Sequence, residues 1–198
     1  MTELKHITLP DPNGENKNKL AFILENVFTP AECDKWIKLS HDNGYAKALI
    51  NTGDGYELDL TVRNNDRSIV DDVDLALCLW DRIKPFIPND FMGKKLLGIN
   101  PRLRFLKYTG GEYFKPHYDG SYVAPNGSTS LITVQLYLKG DCTGGATRFL
   151  LDQMNATEYV DVEPTAGRVL VFEHDIYHEG CTVVDGIKYT VRTDIMYN

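Results

Sequence analysis

Near residue 99 the spacing of apolar residues changes from a period of about 3.6 to a period of 2, and it stays there to the end of the chain. RLRFLKY (102–108), SLITVQLYLK (130–139), GRVLVFEH (167–174) and KYTVRTDIMY (188–197) read as strands separated by glycine-rich turns. Two helices are expected before them. Thr29-Pro30-Ala31-Glu32 has the marks of a capping box with proline at the first helical position, and that helix should stop near Gly44. A second helix is expected from about Asp72 to Phe86, with Val73, Leu75, Leu77, Leu79, Trp80 and Ile83 on its apolar face and Pro85 and Pro88 at its end. LAFILENVF (20–28) reads as a buried strand, and residues 45–70 as a loop-bearing hairpin or lid. Strands following a pair of helices give an α+β, mainly β class: an antiparallel sandwich or small barrel with helices on one outer face. A single domain is expected over 20–198, preceded by a polar, flexible arm over 1–19.

Composition narrows the function. A hydrophobic share of 42% and a charged share of 25% suit a water-soluble globular chain, and its 198 residues can bury roughly 70% of their unfolded surface. The formal charge of −7 and the lack of long Lys/Arg runs argue against a nucleic-acid partner, which needs a basic footprint. No apolar run approaches a membrane span, so no membrane partner is expected. Cys33, Cys78, Cys142 and Cys181 are isolated thiols, and the first residues carry no apolar leader. The expectation is therefore reduced cysteines in a cytoplasmic or nuclear protein.

The chemistry concentrates in RFLKYTGGEYFKPHYDG (104–120). His117 and Asp119 are one residue apart, so on an extended backbone both side chains point the same way. His178 follows the strand GRVLVFEH and precedes Gly180. Two imidazoles and one carboxylate on one face of a metal form the facial triad of non-haem Fe(II) oxygenases, which leaves positions open for a 2-oxo acid and O2. Lys188 opens the last strand, where its ammonium can meet the distal carboxylate of 2-oxoglutarate, and Tyr137 and Tyr108 can reach the same pocket. HDIYH also offers His174, but the strand context and the following glycine favour His178 as the ligand.

The run YTGGEYFKPHYD, a strand ending in Tyr137-Leu138, then Gly144-Gly145-Ala146-Thr147-Arg148-Phe149, His178-Glu179-Gly180 and Gly186-Ile187-Lys188 resembles the prolyl 4-hydroxylase-like family of 2-oxoglutarate/Fe(II)-dependent dioxygenases. The resemblance spans residues 102–197. It implies a double-stranded β-helix, or jelly roll, preceded by supporting helices. It also implies a hydroxylase of unactivated C–H bonds, acting on a peptidyl residue such as proline. His117, Asp119 and His178 would hold Fe(II), and Lys188, Tyr137, Tyr108 and Thr190 would hold 2-oxoglutarate. O2 would be the second co-substrate and ascorbate a candidate accessory reductant.

The last strand departs from that family. Alternation puts Lys188, Thr190, Arg192 and Asp194 on one face, and the last two stand where family members carry a small uncharged residue and a tryptophan. Arg192 is therefore a candidate for binding a substrate carboxylate or 2-oxoglutarate, or for a structural bridge to Asp194. Asp194, Asn65 and Arg67, the last two from the polar segment VRNNDRSIVDD (62–72), and Gln135 are further candidate substrate residues. These charges keep open a second activity, hydroxylation of a free amino acid or another small polar metabolite. A non-catalytic cupin-like binding protein is the competing class, against which the Lys188 anchor argues. Trp36, Trp80, Phe105 and Phe172 are expected in the core, and nothing in the chain fixes an oligomeric state.

Overall fold

A computed structural model describes residues 2–11, 14–53, 55–151 and 157–198. Two antiparallel sheets face each other. The larger runs in the order Glu3–His6, Ala21–Glu25, Val169–Glu173, Thr129–Gly144, Val183–Tyr197, Arg102–Tyr108, Asp66–Asp71, Ala46–Lys47, with Lys94–Ile99 pairing beside the end of Val183–Tyr197. The smaller runs Phe114–His117, His178–Gly180, Thr147–Leu150, Tyr159–Val162. This is the expected jelly roll, a sandwich whose two inner faces can enclose a site.

Its centre is the pairing of Thr129–Gly144 with Val183–Tyr197, which runs from Thr129↔Tyr197 to Gly144↔Val183. Alternation sorts the two faces. Val134, Leu136, Leu138, Tyr189, Val191 and Ile195 join one cluster with Phe22, Leu24, Leu103 and Phe105, and the helices cover it through Cys33, Trp36, Ala76, Leu79 and Ile83. On the opposite, inner face, Tyr137, Leu170 and Phe172 meet Phe149 and Val162 of the smaller sheet.

Both helices begin where local chemistry places them. Thr29 Oγ1 accepts from the Glu32 N–H at 3.3 Å, and Glu32 Oε2 accepts from the Thr29 N–H at 2.8 Å. The helix Pro30–Asn43 ends at Gly44, whose φ of 84° suits glycine. Asp72 caps Val73–Ile83 by accepting from the Leu75 N–H at 2.9 Å, and a 3-10 turn over Lys84–Phe86 closes that helix ahead of Pro88. Arg82 ties the two helices together, donating to Glu32 at 2.6 Å while lying 4.0 Å from the centre of the Phe28 ring.

The amino-terminal segment differs from the expected flexible arm. Glu3–His6 pairs with Ala21–Glu25, Leu4 packs on the main cluster, and Leu9 is buried between the sheets. The cause is the free edge of Ala21–Glu25, whose unpaired backbone groups accept a neighbour. Three apolar side chains, Leu4, Ile7 and Leu9, anchor the segment in spite of its polar average.

Between Thr165 and Arg168 the chain turns against the first helix. Gly167 adopts a φ of 81°, its carbonyl accepts from the Val27 and Phe28 N–H groups, and a Cβ there would lie 2.0 Å from the Phe28 carbonyl oxygen. Gly167→Ala should therefore destabilise the fold by roughly 3 kcal/mol, combining a positive-φ penalty with a backbone clash. Thr29→Ala should cost only about 1 kcal/mol, the value of one cap. Urea denaturation of the two variants checks this ranking.

Candidate metal centre and co-substrate pocket

Among the described residues one group of side chains is placed to hold a metal ion: His117, Asp119 and His178, whose ligating atoms all lie within 4.8 Å of one another. The smaller sheet brings the histidines together, because His117 pairs directly with His178 across Phe114–His117 and His178–Gly180. His117 Nε2 is 3.7 Å from Asp119 Oδ1, and His178 Nε2 is 3.8 Å from Asp119 Oδ2.

Each ring is oriented by its own backbone. His117 Nδ1 donates to the Lys115 carbonyl at 2.8 Å and His178 Nδ1 to the Ile176 carbonyl at 2.9 Å, so both present a bare Nε2 to the centre. Burial, reinforced by the neighbouring His178, pushes His117 down to about 3, and burial likewise lowers His178. Both are neutral at physiological pH, as ligation demands. Burial works to raise the Asp119 carboxyl, but the Arg192 guanidinium at 3.1 Å overcomes it and holds the group well below the usual carboxylate range. Thr133 Oγ1 donates to the same Oδ2 at 2.6 Å, which leaves Oδ1 for a metal.

Apolar rings wall the centre. Phe114 stacks on His117 with centroids 3.6 Å apart and carries Arg63 on its other side, 4.3 Å from the ring centre. Phe172 stands edge-on to His178 at 4.7 Å, so this expected core residue also lines the cavity.

The cavity is about 740 Å³ and continues from the triad to Lys188, Thr190 and Tyr108. Lys188 is 2% exposed. Its ammonium donates to the Gly145 carbonyl, lies 4.8 Å from the centre of the Tyr108 ring, and has no carboxylate partner among the described residues. Burial pushes it down to about 8. The Thr190 hydroxyl is buried with no hydrogen-bond partner. A buried ammonium and an orphaned hydroxyl side by side call for an acceptor with negative charge, which the distal carboxylate of 2-oxoglutarate supplies. The donor set of the triad, neutral imidazoles with one carboxylate, fits Fe(II) in the same way.

Other sequence candidates fall elsewhere. Tyr137 is fully buried and does not line the cavity; its hydroxyl donates to Thr147 Oγ1 at 2.7 Å, because Thr147 of the facing sheet stands between it and the space. Gln135 does line the cavity and donates to the same oxygen at 2.9 Å. With both acceptor sites taken, the Thr147 hydroxyl proton is left for a ligand. Asn65 is fully buried and off the cavity, held by the Arg63 Nε that donates to it at 2.7 Å, so it supports Arg63 rather than meeting a substrate. Arg67 lines the space. Arg192 lines it too, bridging Asp119 and Asp194 at 3.1 Å each. Asp194 sits behind the cavity wall, where it also receives Arg104 at 3.0 Å and faces His174 at 3.5 Å. Thr147, Thr133 and Arg104 escaped the sequence reading. Period-2 alternation along their strands carries the signal for each, but only the register shows which alternating face is the wet one.

Residues 103–193 match the family model of the 2OG-Fe(II) oxygenase superfamily. No curated protein gives a sequence match. Among solved structures, a viral collagen prolyl hydroxylase from Paramecium Bursaria Chlorella virus-1 in complex with 2OG is similar with a TM-score of 0.65 and 18% identity, over 92% of this chain and 99% of that one. A Pseudomonas putida prolyl-4-hydroxylase gives 0.64 and 15%, over 93% and 96%. A Trichoplax adhaerens prolyl hydroxylase in complex with a hypoxia inducible factor oxygen degradation domain peptide fragment gives 0.69 and 14%, over 91% and 85%. The matched residues 103–193 are a 2OG-Fe(II) oxygenase domain, and they contain His117, Asp119, His178 and Lys188. The three solved structures share this chain's fold.

Thr133→Val removes a donor to Asp119 without touching a ligand, and should weaken Mn(II) or Fe(II) binding by about 10- to 100-fold. His178→Ala should abolish binding and His174→Ala should not; anaerobic calorimetric titration measures all three.

Proposed function

We propose that this dioxygenase hydroxylates an unactivated C–H bond in a peptidyl residue such as proline, the substrate lying across the open mouth of the cavity. The observation that carries the catalytic part is the buried, carboxylate-free Lys188 beside the unpartnered Thr190 hydroxyl, lining the same cavity as the triad. A binding protein without turnover has no use for such an anchor. The peptide reading draws support from the exposed rings of Tyr56, Tyr118 and Tyr122 on the cavity lining, a surface suited to an extended chain, and from the peptide held by the Trichoplax relative. A second reading, hydroxylation of a small polar metabolite, is favoured by the four arginines that line the cavity, Arg63, Arg67, Arg104 and Arg192.

Bound Fe(II), with 2-oxoglutarate and O2, supplies the oxidising power, the co-substrate leaving as succinate and CO2. The chain's own share is placement and exclusion. His117, Asp119 and His178 would hold the metal, and Lys188 and Thr190 would receive the distal carboxylate of the co-substrate. Phe114 and Phe172 keep water from the ligand side, and Thr133 and Arg192 keep Asp119 ionised and oriented. Ascorbate belongs to this reading as an accessory reductant, and its addition should raise the number of turnovers.

Anaerobic protein given Fe(II) and 2-oxoglutarate should show a weak visible charge-transfer band, and admitting O2 should yield succinate; intact protein giving neither result overturns the reading. Lys188→Met should raise the 2-oxoglutarate requirement by about 10-fold or more, the loss of one charge-assisted bond, while Fe(II) still binds. Because the free ammonium titrates at about 8, it is charged and ready below that pH, and above it binding requires proton uptake. Affinity for 2-oxoglutarate should then fall about tenfold per pH unit above 8 in equilibrium titrations, a dependence absent in Lys188→Met.

A further inference from the structure

The cavity holds more positive charge than iron and 2-oxoglutarate explain. Arg104 pairs directly opposite Arg192 across Arg102–Tyr108 and Val183–Tyr197. Arg67, in Asp66–Asp71, pairs opposite Leu106 and so lies diagonal to Arg104 on the same face. All three line the cavity, together with Arg63. Like charges placed across a sheet are destabilising and need compensation.

Only part of it is present. Arg104 and Arg192 share Asp194, and Arg192 also leans on Asp119. Arg63 is 8% exposed; it spends Nε on Asn65 and its flat face on Phe114, and has no carboxylate partner among the described residues. Arg67 is half-buried, its hydrogen bond a 3.5 Å contact with the Leu49 carbonyl, and it too has no carboxylate partner among the described residues. Burial, then the charges of Arg63 and Arg104, push its guanidinium down to about 10. The Arg192 Nε is buried without an acceptor. In a chain of net charge −7, this concentration is local to the site and not a general property of the surface.

Taking the dioxygenase reading above as given, we propose that the substrate is an anion, its carboxylate received by Arg67 and Arg63 beside Arg104, Arg67 standing two strands away from Lys188 on the larger sheet. Guanidinium forks match a carboxylate in two parallel hydrogen bonds, and an incoming negative charge relieves the repulsion that the fold leaves uncompensated. The site thus discriminates between two acids: Lys188 and Thr190 take the co-substrate's, and the arginines take the substrate's. The carboxylate can come from a free amino acid or from an acidic residue beside the target in a peptide.

Protein loaded with Mn(II) and saturating 2-oxoglutarate, anaerobic, is titrated with L-proline, L-aspartate and L-glutamate against their α-amides. A capped Ala-Pro-Asp-Ala peptide is titrated against its Asn counterpart. At least one acid should bind about 10-fold or more tightly than its amide, with an affinity that falls as salt is raised. Tight free amino acids identify a small-molecule substrate, and a preference for the Asp peptide identifies an acidic peptide. Arg67→Gln should remove the discrimination and Arg67→Lys should restore part of it, while Mn(II) binding reports an intact fold. Equal binding of acid and amide, or no acid bound at millimolar concentration, overturns the proposal. So does an Arg67→Gln variant whose 2-oxoglutarate affinity falls as far as that of Lys188→Met, since the cluster would then serve the co-substrate. The charge-transfer band and succinate formation are read separately, so the failure of this inference is distinct from a failure of the dioxygenase reading.

Discussion

The register of Val183–Tyr197 is the constraint on which the rest of the molecule depends. Along this one strand Tyr189, Val191 and Ile195 face the helix-covered core, and Lys188, Thr190 and Arg192 face the cavity. A slip of one residue would place an ammonium and a guanidinium in the hydrocarbon and expose three apolar side chains to the cavity. Nearly the whole length of Thr129–Gly144 is paired against this strand, with Arg102–Tyr108 on its other side, so the register is held from both edges. Packing of the core and placement of the co-substrate pocket are in this sense a single requirement.

The metal centre is built by a different logic, in which short local devices orient each ligand within the larger frame. Each histidine is aimed by a carbonyl two residues before it, in the same chain segment. Asp119 is instead aimed from a distance, by Thr133 and Arg192 of two neighbouring strands. The result is two uncharged rings and one ionised carboxylate in a buried site, a combination unstable alone and completed by a divalent cation.

Much of this was legible in the sequence because it rests on periodicity and local chemistry. The capping box at Thr29, the Asp72 cap, the alternating strands and the triad all depend on residues near one another in the chain or on a repeated motif. Tyr137 was misplaced because alternation shows which face a side chain takes but not what stands in front of it, and Thr147 comes from the other sheet. Asn65 and Arg67 look equivalent in a polar loop, but Arg63 takes Asn65 as a hydrogen-bond partner while Arg67 lines the cavity, a difference only the packing shows. The amino-terminal strand was hidden by averaging, since Leu4, Ile7 and Leu9 are diluted by polar neighbours. Arg104 and Arg192 become opposite partners only through a strand pairing 88 positions apart in sequence, and no local pattern encodes that.

The two margins of the larger sheet bear on how copies of this chain meet. At one margin stands a four-residue strand, Glu3–His6, whose Lys5 is paired with Glu3 and Glu25. At the other stands a two-residue strand, Ala46–Lys47, whose lysine is held by Asp66 and Glu112. The two longest strands, Thr129–Gly144 and Val183–Tyr197, are both interior. What is offered outward is brief and charged, a poor surface for ladder growth between molecules. The sandwich thereby keeps its open groups for ligands in the cavity and presents few of them to its own kind.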